Sequence, residues 1–180
     1  QADRIMPVIW VGYSQWEPKG VYRNFNINGD VWSFFNFGGV HGGDGLEGNS
    51  SMTFKNYWNA WVNGNLGTST NDASLLRGGP TMKTPGRVSA NGGFSTDNRK
   101  KLGFNFYLNY NRGFEGSSER DYLGMEISYK PTNYLRLSLS PGYSKSFSEL
   151  QYVPLTTNGG NDRYIFDSID RKTINTSLRV

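Results

Sequence analysis

The sequence predicts an all-β fold, an antiparallel meander of about eight strands that forms all or part of a transmembrane β-barrel. Three observations carry this. Apolar and polar residues alternate along successive segments, aromatic residues gather near the segment ends, and the polar positions hold Asn, Ser, Thr, Gly and Arg with few Glu or Lys.

The strands follow in order. Weaker alternation runs over 6–14 and 21–37. From Leu46 to Val62 one set reads Leu46, Gly48, Ser50, Met52, Phe54, Asn56, Trp58, Ala60, Val62, and the other is mainly polar. A further weak segment covers 86–95. From Lys100, Leu102, Phe104, Phe106, Leu108 and Tyr110 alternate with Asn105, Tyr107, Asn109 and Asn111. The next begins near Arg120, with Leu123, Met125, Ile127 and Tyr129, and Leu135 to Tyr143 repeats the pattern. A last long strand starts at Arg163. Several of these segments exceed the usual sandwich strand of about 5–6 residues, and a tilted membrane span needs about 9–11.

Connector lengths alternate. Ser95 to Asn98 and Lys130-Pro131-Thr132-Asn133 are short turns, while 65–86, 112–119 and 154–162 are longer. Bacterial barrels pair short periplasmic turns with long external loops. The parity places those three loops on one side and the two turns on the other. It also puts the Gly-rich run Gly38 to Gly45 on the turn side, where it is longer than expected.

Composition agrees with this class. The 180 residues include 23 Gly, 11 Tyr, 11 Phe and 5 Trp, and aromatics favour strands while Gly and Asn favour turns. Mean hydropathy is -0.61. No run of about 18 apolar residues exists, which excludes a membrane helix. A barrel strand needs only alternate residues apolar. The absence of Cys excludes a disulfide scaffold and a thiolate metal site. The net charge of +4 comes from scattered Lys and Arg without a basic stripe, so nucleic acid is not an expected partner. Gln1 is no initiator and Val180 ends inside a strand pattern, so a single segment, 1–180, of a larger barrel is expected.

Seven aromatics are expected at the membrane interfaces: Tyr57, Trp58, Trp61, Tyr107, Tyr110, Tyr129 and Tyr134. Arg136, Arg171 and Arg179 interleave with polar residues and are expected to face the lumen, paired with Glu126 and Asp167. Arg77, Gly78, Gly79 and Pro80 read as a structured external loop, with Leu75, Leu76 and Met82 folding it inward as a partial plug. Other chemistry is thin. His41 is the only His, and with Asp44 and Glu47 it lacks EF-hand spacing, so no metal and no cofactor are expected. Glu119 and Asp121 share a strand face, as a glycosidase pair would, but a charged loop rim is the favoured account. No enzyme is expected. A soluble β-sandwich binding glycans through exposed Trp and Tyr also alternates and stays as the alternative.

The stretch Leu75-Leu76-Arg77-Gly78-Gly79-Pro80-Thr81-Met82-Lys83-Thr84-Pro85-Gly86, together with Asp162-Arg163-Tyr164-Ile165-Phe166, Asp170-Arg171-Lys172-Thr173-Ile174, Phe37-Gly38-Gly39 and the Tyr129 to Asn133 turn, resembles the C-terminal barrel of domain-of-unknown-function family 5916. The resemblance runs from about Trp32 to Val180. It implies a bacterial outer-membrane barrel of the Bacteroidota type, contact with outer-membrane lipid, and further strands outside this segment. The family usually carries a module similar to a family-nine carbohydrate-binding domain. That module is absent here, so any glycan contact through it lies outside the chain. No catalytic residues are carried over.

Overall fold

The computed structural model describes residues 4–72, 75–76, 79–158 and 161–180, with backbone alone at 150, 154, 155, 158, 161 and 162. Eleven strands follow one another: β1 (Val8–Gln15), β2 (Tyr22–Phe35), β3 (His41–Phe54), β4 (Asn59–Gly67), β5 (Thr70–Asp72), β6 (Met82–Thr84), β7 (Arg87–Ser95), β8 (Leu102–Gly113), β9 (Ser118–Thr132), β10 (Leu135–Asn158) and β11 (Asn161–Arg179). Nine of them form one sheet in the order β1-β2-β3-β4-β7-β8-β9-β10-β11, and β5 and β6 form a separate hairpin. Every pairing is antiparallel between sequence neighbours in the sheet, so the expected meander is present. The sheet is open: β1 and β11 are its two ends, and no ladder joins them among the described residues.

The main sheet has nine strands where about eight were expected. The alternation from Leu46 to Val62 hides a turn. Phe54 N–H and carbonyl close a tight loop with Trp58 and Tyr57, Asn56 Oδ1 accepts the Trp58 N–H at 3.1 Å, and Tyr57 takes φ 64. Aspartate-like capping by Asn and its tolerance of local turns explain the reversal. The alternation survives because a hairpin with an even offset keeps the same parity: Met52 pairs with Ala60 and Ser50 with Val62.

This extra turn corrects the side assigned to Gly38–Gly45. The β2–β3 connection falls with the β4–β7, β8–β9 and β10–β11 connections, and the Lys55–Trp58 turn joins the short turns opposite. The long connector expected at 154–162 is also corrected. β10 and β11 run into it from both sides and pair as far as Asn158 with Asn161, with β-bulges at Ser148/Gln151 and Tyr152/Leu155 absorbing the extra β10 residues.

Cross-strand register sorts the side chains into two faces. One row reads Tyr13, Ile27, Ser50, Val62, Gly92, Leu108, Leu123, Tyr143 and Ile174 from β1 to β11. Its large members are exposed, from 38% at Leu123 to 80% at Ile174. The opposite face is polar, and most of it is half-buried on β2 to β10 and exposed on the edge strands β1 and β11. Leu76 in the β4–β7 connection, 4% exposed, is the buried hydrophobic residue of the described chain.

The β4–β7 connection comes back against the sheet at two places. Gly43 belongs to the polar face opposite Phe34, and a Cβ there would stand 2.8 Å from Thr70 Cγ2 of the β5–β6 hairpin. Further along the same connection, Gly79 meets the ring of Tyr164 on β11. A connection leaving the middle of the sheet therefore reaches its last strand.

Candidate functional site

The polar face is the candidate site. Asn28, Asn49, Asn63, Asn91 and Asn109 stand side by side on β2, β3, β4, β7 and β8. Tyr122, Ser144 and Thr173 continue the row to β11. Asn63 Nδ2 donates to Asn91 Oδ1 at 3.1 Å. The next row towards the short turns holds Asn26, Ser51, Trp61, Gly93, Tyr107, Gly124, Gly142 and Asn175. Asn26 Nδ2 donates to Ser51 Oγ at 2.9 Å.

Rings lie close over glycines on this face. A Cβ on Gly93 would stand 2.6 Å from the indole of Trp61, its cross-strand partner. Gly45 and Trp32 repeat the relationship at 2.2 Å. Gly124 sits 2.6 Å beneath the hydroxyl of Tyr122 by the same measure. Glycine loses more backbone freedom than other residues in a strand, and a ring laid over it covers the bare backbone. The rings join across strands: Trp61 and Tyr107 lie 5.7 Å apart at 40°, and Tyr107 and Tyr122 lie 5.6 Å apart at 52°.

Charge keeps to the margins of the face. Asp30, Glu47, Arg120 and Arg171 lie in the row on the loop side of the asparagines. Glu126 lies on the turn side, where Arg136 Nη2 reaches its Oε1 at 2.9 Å. The expected Arg136–Glu126 pair is thus formed. Arg171 shares the polar face with Ser146, Arg179 lies opposite Ser138, and neither makes an ion pair among the described residues. Asp167 accepts the N–H of Ser168 instead.

The seven aromatics divide. Tyr129 and Tyr110 lie on the apolar face, and Arg112 sits 4.2 Å over the Tyr110 ring. Trp58 packs edge-on to Phe94 at 5.1 Å, and Tyr134 is fully exposed in the β9–β10 turn. Tyr57 occupies the β3–β4 turn with the guanidinium of Arg99 3.5 Å above its ring and that of Arg23 at 4.3 Å. Arg99 also clamps the buried Asp97 through Nε–Oδ1 and Nη2–Oδ2 bonds of 2.8 Å each. These bonds hold the Asp97 carboxyl down to about 2. Trp61 and Tyr107 differ from the interfacial position expected of them: register turns both onto the polar face.

Glu119 and Asp121 do share a face, the apolar one at its loop-side rim. Arg112 meets Asp121 Oδ2 at 2.8 Å and Glu119 at 3.1 Å, and Lys145 reaches Glu119 at 2.8 Å. The carboxylates serve an ion network, in keeping with a charged rim. His41 and Asp44 pair at 2.9 Å, and no group of three or more metal-ligating residues occurs among the described residues. Of the external-loop candidates, Gly79 is half-buried and Pro80 exposed, while Arg77 and Gly78 lie outside the described residues.

The family model described as "Domain of unknown function (DUF5916)" matches residues 1–180. The chain belongs to this family. The match extends the resemblance noted from Trp32 back to the first residue. No curated protein and no solved structure matches the chain. In this DUF5916 chain, sequence patterning identified the polar positions but missed the ring row, because Trp61, Tyr107 and Tyr122 become neighbours only through the pairing of β4, β7, β8 and β9. The available signal was phase: Trp61 and Tyr107 fall in step with the Asn positions, not with Val62 and Leu108.

Proposed function

We propose that this chain is a membrane-spanning part of an outer-membrane β-barrel, used for passage, anchoring or surface display, and that it is not an enzyme. One observation carries the reading: large apolar side chains, among them Ile27, Val62, Leu108, Ile127 and Leu178, are exposed on one face of a single continuous sheet, while the other face is polar. Lipid solvates such a face, and a hydrated lumen solvates the other.

The apolar band crosses the strands obliquely. The row that begins with Ile9, Val31, Leu46, Leu66 and Val88 ends with Arg112, Glu119, Phe147 and Asp170. Strands tilted against a flat apolar layer produce this drift. The β5–β6 hairpin, whose Thr70 stands against Gly43 of the polar face, fits a partial plug. Outer-membrane lipid is then the partner of the apolar face. Glycan contact through a separate module rests on family resemblance alone.

Phe104→Arg tests the reading. Phe104 shares a row with Ile127, Leu139 and Leu178. At mid-membrane depth the change costs about 2–4 kcal/mol of folding in lipid. The full-length protein should fractionate with the outer membrane and need detergent for extraction. A detergent-free soluble monomer, with Phe104→Arg neutral, would favour the β-sandwich alternative.

A further inference from the structure

We propose that the polar face carries a binding track for neutral oligosaccharides, in which Trp61, Tyr107 and Tyr122 stack against sugar rings and Asn63, Asn91 and Asn109 hydrogen-bond their hydroxyls. The proposal goes beyond the membrane reading and stands on the geometry of this face alone.

Three features select the ligand class. The first is charge. Two adjacent rows cross all nine strands, one through Asn28 to Asn109 and one through Trp61 and Tyr107, without a carboxylate, ammonium or guanidinium in either. An ionic solute on these rows would shed water without meeting a countercharge, which is costly. The second is the amide set. Each Asn offers two donors and an acceptor. Only Asn63 and Asn91 bond each other among the described asparagines of the ladder. A polyhydroxylated ligand matches that mixture of donors and acceptors.

The third feature is the ring row. Gly93 and Gly124 leave room for the side chains of Trp61 and Tyr122 to lie close against the sheet, on its polar face. Tyr107, 36% exposed, bridges them at 5.7 and 5.6 Å. A pyranose has an apolar C–H face and a polar rim. Aromatic rings that are apolar in body and polar at the tip suit that division. Three neighbouring rings, with amides alongside, fit a chain of sugars better than one.

The test uses the full-length protein in lauryldimethylamine oxide, a detergent without a sugar headgroup. Maltohexaose, cellohexaose, xylohexaose and hexa-N-acetylchitohexaose are titrated and followed by calorimetry. At least one neutral hexaose should bind. Trp61→Ala should weaken it tenfold or more. Because the Trp61 ring also covers Gly93, the double variant Asn91→Ala/Asn109→Ala is measured in parallel and should weaken binding by a similar factor. Trp58→Ala, in the β3–β4 turn, should leave it unchanged. A dissociation constant above about 10 mM for all four sugars overturns the proposal. So does equal binding by the Asn91/Asn109 variant, or tighter binding of hexagalacturonate than of any neutral hexaose. Extraction and membrane fractionation of the same variants report on the membrane reading separately, since none of these residues faces the apolar side.

Discussion

Gly79 lies against the ring of Tyr164, so closely that a Cβ on the glycine would stand 2.7 Å from the ring carbon and from the hydroxyl oxygen. The same Cβ would meet Leu76 at 2.8 Å. This contact ties the β4–β7 connection to the far edge of the sheet across β7, β8, β9 and β10. Gly79→Val should overpack it at a cost of about 1–3 kcal/mol and release the connection. Limited proteolysis between 68 and 86 should accelerate. Gly67→Ala, with open space around its Cβ, should be cleaved at the wild-type rate. Equal cleavage of Gly79→Val and wild type would show that the contact does not hold the loop.

The two faces of β3 offer an internal comparison. Gly45 lies beneath Trp32 on the polar face, with a 2.2 Å approach, whereas Gly48 on the apolar face has its nearest neighbour at 3.9 Å. Gly45→Ala must displace an indole and should lower the unfolding midpoint. Gly48→Ala should leave it unchanged or raise it slightly, since Ala restricts the unfolded chain. Matching midpoints for the two variants would mean that the ring does not rest on Gly45.

Asp97 gives the short-turn side a pH dependence. Its carboxyl, ordinarily at 3.8, is held down to about 2 by the side-chain bonds from Arg99, then by the Arg99 backbone N–H. A folded-state value below the unfolded one stabilises above the ordinary value, and the contribution is lost as pH falls through about 2. Wild type should therefore lose more stability than Asp97→Asn between about pH 4 and about pH 2. Parallel acid unfolding curves for the two proteins would remove Asp97 from the account.

The all-β class, the meander and the phase of most strands were legible because alternation is local. Leu102, Phe104 and Leu108 announce their face without help from the rest of the chain. The turn at Asn56-Tyr57 was not, because β3 and β4 keep one alternation through it. Glycine and asparagine are ambiguous by themselves. Asn28-Gly29, Asn63-Gly64 and Asn91-Gly92 resemble hairpin turns, yet all three lie inside strands. There the Asn meets a neighbouring amide across the sheet, as Asn63 meets Asn91, and the Gly leaves a small spot on the opposite face. Such uses depend on register between strands distant in sequence. The ring row has the same origin. The Arg136–Glu126 pair was legible because the two residues flank one short turn.

In the proposed membrane-spanning sheet, alternate residues of one strand face lipid and an aqueous interior. Without cysteine in this sequence, nitroxide labels at Leu108→Cys and Asn109→Cys can be compared directly, in the full-length protein reconstituted into bilayers. Paramagnetic relaxation by dissolved oxygen, which concentrates in lipid, is set against relaxation by a water-soluble nickel chelate. The label at 108 should respond mainly to oxygen and the label at 109 mainly to the chelate, with 107 and 110 repeating the alternation. A label at 108 that responds to the chelate as strongly as the label at 109, or that is shielded from both reagents, would contradict a lipid-facing apolar side.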